Sequence, residues 1–237
     1  MKQLQKLLLS LLLATCPPAE AGYSRNRMEG GGEAKRHAPH PTPYVARVQG
    51  EDNHVCGGFL VAPNWVVTAA QCYEHKPLTV ILGAHTTPRR EESWRTFEVQ
   101  DYHCPKDYES PKKGNDILLL KLKGNATSNN SVRTICFDRS KKVLSKTECR
   151  IADWSQQATV TIRTRRECLN LNPGLAENLI CGDSKSAGVP EKGDAGDPLV
   201  CNNKAYGIFS YKLNSWTSVY TYIAPYLPWV DKVMKSA

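Results

Sequence analysis

No stretch of the 237 residues reaches the roughly 20 consecutive apolar positions that a membrane-crossing helix needs. The longest run, Leu7 to Ala14, follows Met1-Lys2-Gln3-Leu4-Gln5-Lys6 and precedes Ala19-Glu20-Ala21. That order reads as a secretory signal peptide over residues 1–21, and no membrane span is expected. Cys-x-x-Cys pairs are missing, which removes a common zinc-ligand spacing, so neither metal nor cofactor is expected. Internal repeats and low-complexity tracts are also missing. Helical periodicity is absent until the last dozen residues, which excludes a helix bundle. No motif interleaves aromatic with basic residues, and together with export this argues against a nucleic-acid partner.

What is present fits an exported β protein. Nine cysteines occur, and one of them, Cys16, lies in the leader. The eight others are an even number, which in an exported chain points to disulfides. Asn125-Ala126-Thr127 and Asn129-Asn130-Ser131 are glycosylation sequons, making Asn125 and Asn129 candidate acceptors. Residues 22–27 could be a propeptide ending at Arg27. Short runs rich in Val, Ile, Leu, Thr and Tyr follow, bounded by turn formers: Pro43–Val48, Val55–Val61, Trp65–Ala70, Leu78–Leu82, Ile117–Leu122, Glu148–Ala152, Ala158–Arg163, Leu199–Ser210 and Ser218–Ile223. The end of the chain, after Pro225 and Pro228, spaces Trp229, Val230, Val233 and Met234 as one face of a helix. Many short strands with turns between them indicate barrels or a sandwich.

Several motifs fall in one order. They are Gly30-Gly31-Gly32-Glu33-Ala34, Cys56-Gly57-Gly58, Thr68-Ala69-Ala70-Gln71-Cys72, Asn115-Asp116-Ile117-Leu118-Leu119, Cys149-Arg150-Ile151-Ala152-Asp153-Trp154, Gly193-Asp194-Ala195-Gly196-Asp197-Pro198 and Tyr226-Leu227-Pro228-Trp229-Val230. Together they resemble the trypsin/chymotrypsin-like serine proteases over residues 28–237. The flavour resembles the granzyme, mast-cell protease, cathepsin G and azurocidin branch. The resemblance implies an all-β fold of two packed six-stranded antiparallel β-barrels, about 28–140 and 141–237, with a C-terminal α-helix. It also implies the pairs Cys56–Cys72, Cys149–Cys201 and Cys168–Cys181, and leaves Cys104 and Cys136 to pair, stay free or link two chains.

The departures matter more than the matches. A serine protease needs a hydroxyl nucleophile, an imidazole base and a carboxylate to orient it. By the resemblance these fall at Ala195, Gln71 and Asp116, and only the acid is kept. An amide does not titrate near neutral pH and a methyl group cannot attack a carbonyl. Gly193 would belong to the oxyanion loop, and Asp194 to the pairing with a freed amino terminus. That terminus would be Met28-Glu29, which puts a charge where an apolar residue is usual. Val189, Ser210, Tyr211, Lys212 and Ser218 make up an altered specificity cleft. Lys212 replaces a glycine that leaves room for a substrate strand, and Asp197 also replaces a glycine.

The resulting expectation is a secreted or granule protein without protease activity that acts by binding in immune or inflammatory defence. Weak hydrolysis through a substitute base such as His75 is one alternative. A decoy for partners of active proteases is another. The formal charge is +8. Without residues 1–27 the balance is 27 basic against 22 acidic residues. Lys35, Arg36, Arg89, Arg90, Lys112, Lys113, Lys141, Lys142, Arg163, Arg165 and Arg166 are the candidates for an anionic partner, a heparin-like glycan or lipopolysaccharide. A protein receptor is a further candidate partner, and a monomer is expected.

Overall fold

Twelve strands close into two separate cylinders. The computed structural model describes residues 42–83, 94–140, 142–152, 157–185, 190 and 195–236. The first barrel contains β1 (Val45–Gly50), β2 (Val55–Ala62), β3 (Trp65–Thr68), β4 (Leu78–Leu82), β5 (Arg95–His103) and β6 (Leu118–Leu122). Its order is β1-β2-β3-β6-β5-β4. The second contains β7 (Glu148–Ala152), β8 (Gln157–Ile162), β9 (Leu179–Ser184), β10 (Pro198–Cys201), β11 (Lys204–Lys212) and β12 (Thr217–Tyr222), in the order β10-β11-β12-β9-β8-β7. All strand-to-strand pairings within the barrels are antiparallel; β1 with β4 and β10 with β7 close the two barrels. Closure leaves few strand edges open to another chain.

Burial explains why these segments pair. In β6, Leu118, Leu119, Leu120 and Leu122 are all buried, so both faces of the strand are covered. One apolar cluster joins the interior of barrel one to Val200, Ala205 and Ile208 of barrel two and to Val230 of the C-terminal helix α2 (Leu227–Ser236). The barrels are thus welded by shared apolar surface. A second cluster, with Tyr206, Phe209 and Tyr220, fills barrel two.

Two sequence expectations need correction. The run Leu199–Ser210, read as one strand, is β10 and β11. Asn202 and Asn203 take φ of 50° and 60°, the left-handed pair of a two-residue hairpin turn. A short helix, α1 (Arg165–Leu171), also lies before the C-terminal one. It starts with a capping box: Glu167 N–H donates to Thr164 Oγ1 at 3.3 Å, and Thr164 N–H donates back to Glu167 Oε2 at 2.7 Å.

The disulfides Cys56–Cys72, Cys149–Cys201 and Cys168–Cys181 are formed. The first ties β2 to the 3-10 turn Ala70–His75, the second closes the β7–β10 seam, and the third fastens α1 to β9. Cys136 is disulfide-bonded and Cys104 is a free thiol, so those two do not pair with each other. Burial pushes the Cys104 thiol up to about 11, which keeps it protonated and unreactive at neutral pH.

Candidate functional site

Asp116 sits in the loop before β6, fully buried between the barrels. The loop is held from both sides. Asn115 Oδ1 accepts from Asn178 Nδ2 at 2.8 Å and from Tyr226 Oη at 2.7 Å, and the Asp116 carbonyl accepts from Thr221 Oγ1 at 3.0 Å.

The carboxylate collects donors from both barrels. Gln71 gives two: its backbone N–H reaches Oδ1 at 2.9 Å and its Nε2 reaches Oδ2 at 2.7 Å. Ser210 Oγ donates to Oδ2 at 2.5 Å. Burial pushes the Asp116 carboxyl above its ordinary value, and the bonds from Ser210 and Gln71 partly offset this. The amide of Gln71 also donates to the Ser210 carbonyl at 2.9 Å. Its NH2 group thus links an acid of barrel one to the backbone of β11 in barrel two. Ser210 lies where the β11–β12 register slips between Phe209 and Tyr211, so its carbonyl is free to face Gln71.

Ala195 stands beside this centre. Its carbonyl accepts from Gly57 N–H at 2.9 Å and lies 3.7 Å from Cys72 Sγ, next to Gln71 in sequence. Gly196 must be glycine: φ is +101°, and a Cβ there would lie 2.2 Å from the Gly57 carbonyl. Asp197 is buried against Gly57, where a Cβ would fall 1.7 Å from Asp197 Oδ1. The fold therefore brings Gln71, Asp116 and Ser210 into one hydrogen-bonded cluster, with the Ala195 backbone held beside it. At that centre Gln71 offers a non-basic amide, Ala195 a methyl group and Asp116 an oriented acid.

A model of the trypsin family matches residues 30–230. The chain belongs to the trypsin family. Mouse granzyme E is 36% identical, over 97% of this chain and 97% of its own length. Sheep mast cell protease 2 is 34% identical over 95% and 96%. The solved structure described as "Structure of GrC" superposes with a TM-score of 0.75 at 32% identity, covering 83% of this chain and 96% of that one.

Other expected site residues scatter. Lys212 pairs across the β11–β12 ladder with the buried Ser218, and the half-buried Tyr211 accepts from Asn172 Nδ2 at 3.4 Å. His75 does not serve the centre: Nδ1 is 2.6 Å from Asp52 Oδ2, and its ring stacks on His54 with centroids 3.6 Å apart. Val189, Gly193, Asp194, Lys35, Arg36, Arg89, Arg90 and Lys141 lie outside the described residues.

Two basic candidates have other duties. Arg163 grips Asp183. Arg165 donates to the carbonyls of Ala176 and Leu179 at 2.9 and 3.1 Å, pinning the turn between α1 and β9. Lys113 pairs with Glu109, while Lys112, Lys142 and Arg166 are exposed. Sequence reasoning missed the second bond of Gln71 and the structural use of Arg165; the Thr164-to-Glu167 capping spacing is a signal that could have located the turn Arg165 pins.

Proposed function

We propose that this chain is a catalytically inactive trypsin-family protein that acts by binding, exported to the extracellular space or a granule, in immune or inflammatory defence. One observation carries the reading: Gln71 is fully engaged as a donor to Asp116 and to the Ser210 carbonyl, and position 195, whose carbonyl lies beside Cys72, is alanine. Neither side chain can take a proton from a nucleophile or act as one. Losing either role alone lowers turnover about 10⁶-fold in proteases of this mechanism, roughly 8 kcal/mol of barrier. Purified chain should therefore turn over peptide thioesters no faster than buffer, with or without removal of residues 1–27. Turnover that disappears in Asp116→Ala would overturn the proposal. The relatives named for granzymes and mast cells support the immune setting, and the disulfides Cys56–Cys72, Cys149–Cys201 and Cys168–Cys181 suit an oxidising compartment.

The same reading assigns anionic glycans or lipopolysaccharide as partners through exposed basic residues such as Lys112, Lys142 and Arg166. Retention on immobilised heparin should then persist beyond about 0.15 M salt, and elution below that rejects the partner class. Asn125 and Asn129 are both exposed and are the expected glycan acceptors, which a mobility shift after endoglycosidase treatment checks.

A further inference from the structure

Barrel two carries a concavity of about 430 Å³ away from the Gln71 centre. Leu171 and Trp216 form its apolar side, and Arg163, Asp183, Asn214 and Thr217 its polar side. Single exposed apolar residues are ordinary on protein surfaces. Here two large ones flank one hollow, with Trp216 52% and Leu171 45% exposed. The backbone imposes this exposure. Trp216 N–H donates to Asn214 Oδ1 at 2.9 Å, and its carbonyl accepts from Ser184 N–H at 2.8 Å. Thr217 N–H donates to the same Asn214 oxygen at 2.8 Å. These bonds fix the backbone that carries the indole at the rim, which limits what a ligand must order on binding.

The charges in the hollow cancel. Arg163 binds Asp183 through Nε to Oδ1 at 2.8 Å and Nη2 to Oδ2 at 2.6 Å, and Thr217 Oγ1 donates to Oδ1 at 2.7 Å. A charged ligand would have to compete with this pair. A neutral ligand rich in hydroxyls would not, because a guanidinium has five N–H groups and the carboxylate has further lone pairs. The flat apolar indole beside a fixed planar polar edge matches a sugar ring, whose C–H face stacks while its hydroxyls bond to the edge. The volume falls within the range of about 300–1,000 Å³ typical of small-ligand sites.

We propose that this concavity binds an uncharged hexopyranose unit. The site uses no residue of the Gln71 centre and does not depend on the chain's lack of protease activity. The full chain would be titrated with methyl glycosides of glucose, galactose, mannose and N-acetylglucosamine, following tryptophan emission and the Trp216 indole N–H resonance. At least one glycoside should saturate in the millimolar range. Trp216→Ala should weaken it at least about tenfold, and Trp216→Phe, which keeps a ring, should retain part of the affinity. Trp216→Phe with Leu171→Ser carries the test should Trp216→Ala unfold. The proposal is overturned if none of the four saturates, if Trp216→Ala binds as the native chain does, or if sulfated sugars or acidic peptides bind through Trp216 while neutral glycosides do not.

Discussion

The double variant Gln71→His/Ala195→Ser is expected to hydrolyse peptide thioesters at least about 100-fold more slowly than trypsin assayed alongside it, a shortfall of roughly 3 kcal/mol. The two substitutions supply an imidazole and a hydroxyl next to an acid that is already oriented. They leave the surroundings unchanged. Asp197 buries a carboxyl group two residues from position 195. Acyl transfer needs hydrogen-bond donors where negative charge develops on the substrate oxygen, and an acid in place of glycine in this loop adds an acceptor group to it. Lys212 remains at the end of β11, two residues beyond Ser210. Misplacing a substrate by about 1 Å is enough to cost 100-fold. Adding Asp197→Gly should recover about a tenth of the missing rate or more. A double variant within tenfold of trypsin would mean that Asp197 and Lys212 are incidental.

Asp116→Ala should lower stability by about 3 kcal/mol or more, whatever its effect on turnover. The change strands three donors between the barrels: Gln71 N–H, Gln71 Nε2 and Ser210 Oγ. Asp116→Asn keeps the shape but turns an NH2 group toward donors, and should cost about 1–3 kcal/mol. Urea unfolding measures both. The pH dependence follows from the raised carboxyl. The folded chain holds this proton more tightly than the unfolded chain does. The stabilisation is therefore complete below the ordinary carboxylate value and is lost as pH rises through the raised folded value. The stability gap between the native chain and Asp116→Asn should narrow over that window. A gap that widens there would refute burial as the dominant influence on Asp116.

Legibility in the sequence followed physical range. Strands such as Trp65–Thr68 and Leu118–Leu122 announced themselves because both faces are buried and their apolar runs are unbroken. β5 was not read as a strand: along Arg95–His103 no residue is fully buried, and polar side chains fill most of it. Helix α1 has seven residues, too few to show a period, and only its capping pair betrays it. At the centre, residues 71, 116 and 195 were legible because each lies in a local motif. The Gln71 bond to the Ser210 carbonyl was not, since it joins positions 139 residues apart through a carbonyl exposed by a register slip. Arg163 and Arg165 look like free surface charge because their acceptors, Asp183 and backbone carbonyls, are brought near by the β8–β9 pairing and the turn before β9.

The contact of Gly57 with Asp197 has a consequence for variation in this chain. Position 57 lies in barrel one and position 197 enters barrel two, and there is room for one side chain between them. The constraint is one-sided: position 197 can lose its side chain while Gly57 stays, but a residue larger than glycine at 57 must await the loss of Asp197. Two halves that could otherwise diversify separately are bound to a shared history at this one point.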